Sequence, residues 1–380
     1  MPIFTTIAGF AIIIAVLLDA FETVVLPRRV SRHFRLTAWF FRYVWVPWLK
    51  AAHHIQSPTR RETFLGYFGP LFSIVLLVLW AGCLILGFGL LQYGVGEHVR
   101  LGIEPVTFGN LLYHSGQTFF TLGYGDILPV SGVARALAVI EAGMGFAFLG
   151  VVIGYLPVIY SSFNTRELEI SLLDSRAGSP PTATEFLSRL GCCPDPLVLD
   201  GIFRDWERWS ANLLSGQISY PVVCFFRSQH SNQSWLGALT VMLDVTSLVM
   251  SGVEGIQPEQ ARLTFAMARH AAVDLAQVLN AQYDPHAPDR LPEEHRERMA
   301  KAFAAAGVRL RQDEESRQKL DHLRLLYEPY LHALSHRLLL TLPPWIQAAK
   351  RKDNWQSGPW DRAIQAKGLG EKVRVVEDHF

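Results

Sequence analysis

The chain has 380 residues, of which 50% are hydrophobic and 18% are charged, and its formal net charge is +1. A charge balance this close to zero argues against nucleic acid as a partner. No motif of a hydrolase, a transferase or a phosphate-binding loop is present, so we predict that the protein is not an enzyme and does not pump with ATP. The four cysteines form no C-x-x-C pair and predict neither a metal site nor a disulfide framework.

The hydrophobic residues are concentrated in three long stretches of the first 165 positions. A helix needs about 20 apolar residues to cross a bilayer. We predict membrane spans over about 3–26, 64–91 and 133–160, within a transmembrane domain of residues 1–163. The first stretch has no basic region before it and no cleavage site after it, which favours a retained helix over a signal peptide.

The segment 28–62, between the first two spans, is rich in basic residues and predicts the orientation. Loops with an excess of Arg and Lys face the cytoplasm. The N-terminus is then outside, the segment between the second and third spans faces outside, and residues 164–380 form a cytoplasmic domain. We therefore predict a multi-pass protein of the cell (inner) membrane. The basic residues of the segment are Arg28, Arg29, Arg32, Arg35, Arg42, Lys50, Arg60 and Arg61.

Within this segment, Arg29, Arg32 and Arg35 repeat at every third position, as in a voltage-sensing helix. The aromatic residues that follow, mixed with basic ones, are more typical of a helix at the membrane interface. We predict that this segment lies at the membrane interface. The alternative, that residues 36–52 form a fourth span, is left open. Nearby Asp19 and Glu22 are expected to pair with basic residues at the same interface.

The hexapeptide "TLGYGD", Thr121 to Asp126, lies in the outward-facing segment between the second and third spans. An ion can cross a membrane where consecutive backbone carbonyls replace its water. This needs alternating backbone conformations, which Gly123 and Gly125 accept cheaply. The Thr121 hydroxyl adds an oxygen, and Tyr124 braces the strand from behind. The alternative is a tight turn between packed helices.

This hexapeptide resembles the potassium channel selectivity filter, T-V-G-Y-G-D. The preceding stretch, "TFGNLLYHSGQTFF", resembles the pore helix, so pore helix and filter span about 107–126. Pro129 and Arg135 also stand where simple bacterial channels carry Pro and Arg. The resemblance implies an all-α, pore-loop membrane protein that binds K⁺ in a homotetrameric pore, without an organic cofactor. Its ion-coordinating residues would be Thr121, Leu122, Gly123, Tyr124 and Gly125.

Several residues around the filter support it or depart from the family pattern. Leu122 replaces the usual Val, and Phe120 replaces a Thr or Ser, which removes a hydroxyl near the inner end of the filter. Asp126, Thr118 and Gln117 are expected to support the filter, and Gln117 stands where some relatives have Glu. The change at Phe120 motivates a weakly selective cation channel as the alternative function.

The third span carries one acidic residue and two candidate hinge residues. We expect Glu141 to hydrogen-bond behind the pore helix with Gln117, Thr118 or Ser115. This bracing role is favoured over an ion site, and proton-sensitive gating is a testable consequence. Gly145 stands at the family's gating glycine, and Pro157 can loosen the helix.

Residues 164–380 have the mixed composition and helical periodicity of an all-α domain. Helices are predicted near 196–215, 231–252, 257–281, 291–306 and 314–340, and Thr182 or Thr184 is expected to cap an earlier one. No G-x-G-x-x-G motif and no run of strands is present, so neither a dinucleotide nor a cyclic-nucleotide domain is predicted. We expect this domain to gate or assemble the pore, with an unknown ligand. A membrane sensor or scaffold with little conductance is the remaining alternative.

Overall fold

A computed structural model describes residues 2–25, 36–96, 99–100, 107–191, 196–230, 232–347, 353 and 360. The chain forms two compact units. The first comprises residues 1–162 and 222–226, and the second comprises residues 163–221 and 227–380. Helices dominate both units, which confirms the predicted all-α fold.

The membrane unit is built around three helices that are long and apolar enough to cross a bilayer, Ile3–Val24, Pro58–Val95 and Gly132–Ala177. Such segments become helical because a lipid environment leaves no other partner for the backbone N–H and C=O groups. In chain order the elements are α1 (Pro2–Ala20, continued by a π-helical turn, Phe21–Val25), α2 (Leu36–His53), α3 (Pro58–Gly66), α4 (Phe68–Val95), β1 (Val99–Arg100), α5 (Phe108–Phe119), β2 (Leu128–Pro129) and α6 (Gly132–Ala177). The two short strands pair antiparallel.

Helices α1 and α4 pack closely through small residues. A Cβ atom added to Gly9 would lie 2.5 Å from the backbone oxygen of Gly87, and one added to Gly87 would lie 2.7 Å from the side chain of Ile13. Glycines let two membrane helices approach until their backbones touch, and the gain is in van der Waals contact.

Asp19 joins α1 to two other helices. Its carboxylate accepts hydrogen bonds from the backbone N–H and the hydroxyl of Thr37, at the start of α2, and from the indole N–H of Trp80 on α4, at 3.0 Å. A carboxylate at a helix N-terminus satisfies a free N–H group and complements the helix dipole. The predicted interfacial pairing of Asp19 with basic residues stays a prediction. The basic residues at 28–35 lie outside the described residues.

Helix α2 packs along α3 and the first part of α4 through aromatic rings. The ring centroids are 5.0 Å apart for Phe41 and Phe72, 4.5 Å for Trp45 and Phe68, and 4.4 Å for Trp48 and Phe64. Residue numbers rise on α2 as they fall on its partners, so the packing is antiparallel. The residues that suggested an interfacial segment thus also serve helix–helix packing.

A short segment between α8 and α9 of the second unit belongs to the first unit. The ring of Phe225 lies 4.8 Å from that of Trp45, within the aromatic cluster on α2. The next ring, Phe226, covers Gly69, where an added Cβ atom would lie 2.5 Å from it. Phe226 also lies 6.1 Å from the ring of Tyr160 on α6. The sequence did not predict these contacts.

The second unit surrounds one buried helix. Its helices after α6 are α7 (Ala183–Leu190), α8 (Pro196–Ser219), α9 (Trp235–Ser251), α10 (Glu259–Val278), α11 (Glu293–Ala305), α12 (Glu314–Leu325) and α13 (Glu328–Leu338). A 3₁₀ turn, Pro221–Phe225, lies between α8 and α9, and all of it except Pro221 belongs to the first unit. Helix α9 is buried nearly all round, as expected for a helix apolar on every face. It packs against α7, α10, α12 and α13.

The start of α7 distinguishes the two predicted caps. The Thr182 hydroxyl accepts a hydrogen bond from the backbone N–H of Glu185, so Thr182 is the N-cap. The hydroxyl of Thr184 instead donates to the backbone oxygen of Trp345, at 2.6 Å.

The helix predicted over 314–340 is two helices, α12 and α13, and this boundary corrects the prediction. Pro329 stands in the first turn of α13. Proline has no N–H to continue a helix, and its ring clashes with the carbonyl four residues earlier. The break places the Tyr327 hydroxyl 2.7 Å from the buried carboxylate of Asp244, which also pairs with Arg290 at 2.6 Å.

Candidate ion-conducting site

The pore helix α5 ends where the filter hexapeptide begins. Phe120 is the C-cap, and its N–H donates to the backbone oxygen of Gly116 at 3.1 Å. The next two N–H groups turn back onto the helix: Thr121 donates to Thr118, and Leu122 donates to the backbone oxygen of Gln117 at 2.8 Å. The negative end of the helix dipole therefore lies beside the filter, where it favours cations.

The filter strand, Thr121–Asp126, alternates in backbone conformation. Thr121, Gly123 and Gly125 have φ angles of +56°, +61° and +78°, whereas Leu122 and Tyr124 keep negative values. Ordinary strands and helices do not alternate in this way. Ion coordination by consecutive backbone carbonyls requires an alternating backbone of this kind.

The filter strand is exposed along its whole length in the single chain. The side chain of Leu122 is 53% exposed and that of Tyr124 is 67% exposed. Phe120, just before the strand, is 57% exposed, and its ring packs edge-on against that of Phe119.

Three side-chain contacts hold the outer end of the filter strand against α5. The amide of Gln117 accepts from the N–H of Tyr124 at 3.3 Å and donates to Asp126 at 3.2 Å. The hydroxyl of Tyr113 donates to the same carboxylate, which also accepts from the N–H of Ile127. Gln117 and Asp126 are thus in contact with each other at the outer end of the filter strand, and their support of an ion filter stays a prediction. An amide suits this position because it both donates and accepts.

Sequence reasoning missed Tyr113. Its position one helical turn before Gln117 was the available signal, because residues four apart share a face of a helix.

Glu141 on α6 is fully buried behind the pore helix. One carboxyl oxygen hydrogen-bonds the hydroxyl of Ser115, and the other accepts from the amide of Gln92 on α4 at 3.1 Å. Of the three partners expected for Glu141, the structure shows Ser115. The Ser115 hydroxyl also lies 2.7 Å from the backbone oxygen of Ile85. This cluster joins α4, α5 and α6.

The two candidate hinge residues lie inside one continuous helix, α6. Gly145 is in direct contact with the pore helix, because an added Cβ atom would lie only 1.8 Å from the backbone oxygen of Phe119. Pro157 is exposed. A close approach of two backbones is thus a sufficient reason for glycine at 145.

Comparison with known proteins identifies the architecture. Residues 71–161 match the family described as "Ion channel". The chain is also similar to "Protein LctB" of Geobacillus stearothermophilus, with 34% identity over 91 residues, which cover 21% of this chain and 67% of that protein. The chain belongs to the pore-loop ion channel family. In this channel the matched region contains α5, the filter strand, Glu141 and Gly145.

A second relative shows that similarity is not confined to the pore. The channel is 24% identical over 233 residues to "Uncharacterized membrane protein YdjJ" of Bacillus subtilis (strain 168). That alignment covers 59% of this chain and 67% of the relative. No solved structure matches the chain.

Proposed function

We propose that this ion channel conducts potassium selectively and passively. The observation that supports this most directly is the alternation of left-handed residues at Thr121, Gly123 and Gly125. Backbone oxygens presented in a row replace the hydration shell of K⁺, and the bound ions are the only cofactor we propose. The Gln117 and Asp126 contacts fix the strand so that its oxygens are held in place when an ion arrives.

We propose further that four copies of the chain surround one pathway. Irregular backbone at membrane depth is tolerated only where protein or a water-filled cavity covers it. The filter strand is exposed in the single chain, so other copies must cover its flanks. Potassium filters use four such loops, and closed rotational symmetry is the usual way to assemble identical chains.

The proposed orientation follows from the basic residues between the first two spans. It places the N-terminus outside the cell membrane and the second unit in the cytoplasm. We propose that this unit regulates or assembles the pore. Gly145 and Pro157 remain proposed hinges of α6.

Phe120 supports a second candidate, a weakly selective cation channel. It is 57% exposed next to the filter strand, and it lacks the hydroxyl that is common at this position in the potassium channel pattern that the chain resembles. A sensor or scaffold that scarcely conducts is the third candidate.

Ion flux from the purified full-length chain in liposomes separates these functions. We expect K⁺ to move much faster than Na⁺, and bi-ionic reversal potentials to favour K⁺. The control is Gly123→Ala, which meets no neighbour but is strained at φ +61° and should abolish selective flux. Equal rates for both ions would support the second candidate. No flux from a correctly assembled oligomer would support the third and overturn the proposal.

A further inference from the structure

The hydroxyl of Ser115 is in contact with two oxygen atoms, and each contact is a hydrogen bond only if a proton lies between its two oxygens. It is 2.7 Å from the backbone oxygen of Ile85 and within hydrogen-bonding distance of a carboxyl oxygen of Glu141. A serine hydroxyl has one proton to donate and can also accept. A backbone carbonyl can only accept. For both contacts to be hydrogen bonds, the proton of Ser115 must point to the Ile85 oxygen, and Glu141 must supply the proton of the second bond.

The other contacts of Glu141 are consistent with a proton on that oxygen. Its second carboxyl oxygen accepts from the Gln92 amide at 3.1 Å, which leaves the first oxygen to carry the proton. The side chains of Glu141 and Ser115 are fully buried, and Gln92 is 5% exposed. An ionised carboxylate is costly to bury without a cation, whereas a neutral acid whose hydrogen bonds are made costs far less.

No cation hydrogen-bonds Glu141 among the residues that the structure describes. On its own helix, Arg135 donates instead to the backbone oxygen of Pro129. On α5, both ring nitrogens of buried His114 are without a hydrogen-bond partner in the described chain. The other titratable or charged groups of α4 and α5 are Cys83, Tyr93 and Tyr113, and Asp19 and Glu22 lie on α1 and its π-helical turn. Farther along α6 are Tyr155, Tyr160, Arg166, Glu167, Glu169, Asp174 and Arg176.

We propose that Glu141 is a positioning residue that works as a neutral carboxylic acid. It donates to Ser115, which donates to the Ile85 carbonyl, and this chain of hydrogen bonds fastens the pore helix between α4 and α6. Ionisation would turn the Ser115 proton toward the carboxylate. The Ser115 and Ile85 oxygens would then face each other without a proton between them, and the pore helix would lose its attachment to α4.

Infrared difference spectroscopy tests the protonation state without any need for conduction. We expect the full-length protein in lipid at neutral pH to show the carbonyl band of a protonated carboxylic acid. Subtraction of the Glu141→Gln spectrum should isolate that band. In Ser115→Ala the band should persist but shift, because the acid loses its hydrogen-bond acceptor. No such band in the wild-type difference spectrum, or an unshifted band in Ser115→Ala, would overturn the proposal.

A second experiment measures the current through wild type and Glu141→Gln, and it rests on the proposed channel function. Glutamine can donate to Ser115 and accept from Gln92, so Glu141→Gln should conduct at neutral pH and lose the decline of current that we expect for wild type in alkaline solution. An identical alkaline decline in both proteins would overturn the pore-helix role. If neither protein conducts, the proposed function fails, and the infrared result still decides the protonation state of Glu141.

Discussion

Replacement of Gly145 by alanine tests how α6 positions the filter. The added Cβ atom would lie 1.8 Å from the backbone oxygen of Phe119 and 2.8 Å from its carbonyl carbon. These atoms belong to the last turn of the pore helix and are not the end of a flexible side chain. An ordinary contact begins at 3.4 Å, so the backbones would have to separate by about 1.6 Å, the difference between 3.4 Å and 1.8 Å.

This separation would reach the filter directly, because Thr121 follows Phe119 by only two residues. Overpacking of a well-packed interior typically costs about 1–3 kcal/mol. We expect Gly145→Ala to lose that much stability, and to lose most of its selective K⁺ flux because the carbonyl row is displaced.

The assay combines thermal unfolding of the purified oligomer with K⁺ flux in liposomes. Gly143→Ala is the matched control, since it also removes a glycine from α6 but its added Cβ atom meets nothing within 4 Å in the chain. The reasoning would be refuted if Gly145→Ala kept wild-type stability and flux. Equal effects of both substitutions would point to helix flexibility and not to the contact with Phe119.

Three further substitutions test individual contacts. Tyr113→Phe removes a hydrogen bond to Asp126, and we expect faster loss of current during sustained recording, with folding unchanged by circular dichroism. Phe225→Ala opens the aromatic cluster and should cost about 3–5 kcal/mol in the thermal or denaturant stability of the first unit. Asp244→Asn removes the nearer of the two carboxylates that pair with buried Arg290, at 2.6 Å, and leaves Glu328 at 3.1 Å; it should cost about 1–3 kcal/mol in denaturant unfolding, while a loss below about 1 kcal/mol would contradict this account.

Much of the fold could be predicted because its signals are local. The three spans follow from hydropathy, and Thr182 is a cap because its hydroxyl reaches an N–H three residues away. The α12–α13 boundary was missed although its signal, Pro329, was also local. The contacts of Phe225 and Phe226 carry no local signal, because their partners on α2, α4 and α6 are distant in sequence.

The candidate site also has one part that local sequence signals predict and another part that depends on long-range contacts. The alternating backbone of the filter strand could be predicted from the sequence, because ion coordination by backbone carbonyls requires glycine at alternate positions. The attachments of the pore helix are long-range: Ser115 and Ile85 are 30 residues apart, and Gln92 and Glu141 are 49 apart. A polar residue in an apolar span indicates that it has a partner but does not identify that partner.

Glu141 and Gly145 are four residues apart on α6 and therefore contact α5 from the same face. Gly145 sets how closely the backbones approach, and Glu141 can reach Ser115 only at that separation.

A Gly145→Ala protein that has moved α5 away should already have lost the Ser115 bond. Glu141→Ala should then cost less in that background than in wild type, and we expect a coupling energy of about 0.5–3 kcal/mol in a double-mutant cycle. Glu141→Ala and Phe225→Ala, which share no partner, should add within about 0.5 kcal/mol. Additivity of the first pair would show that the two residues hold the pore helix independently.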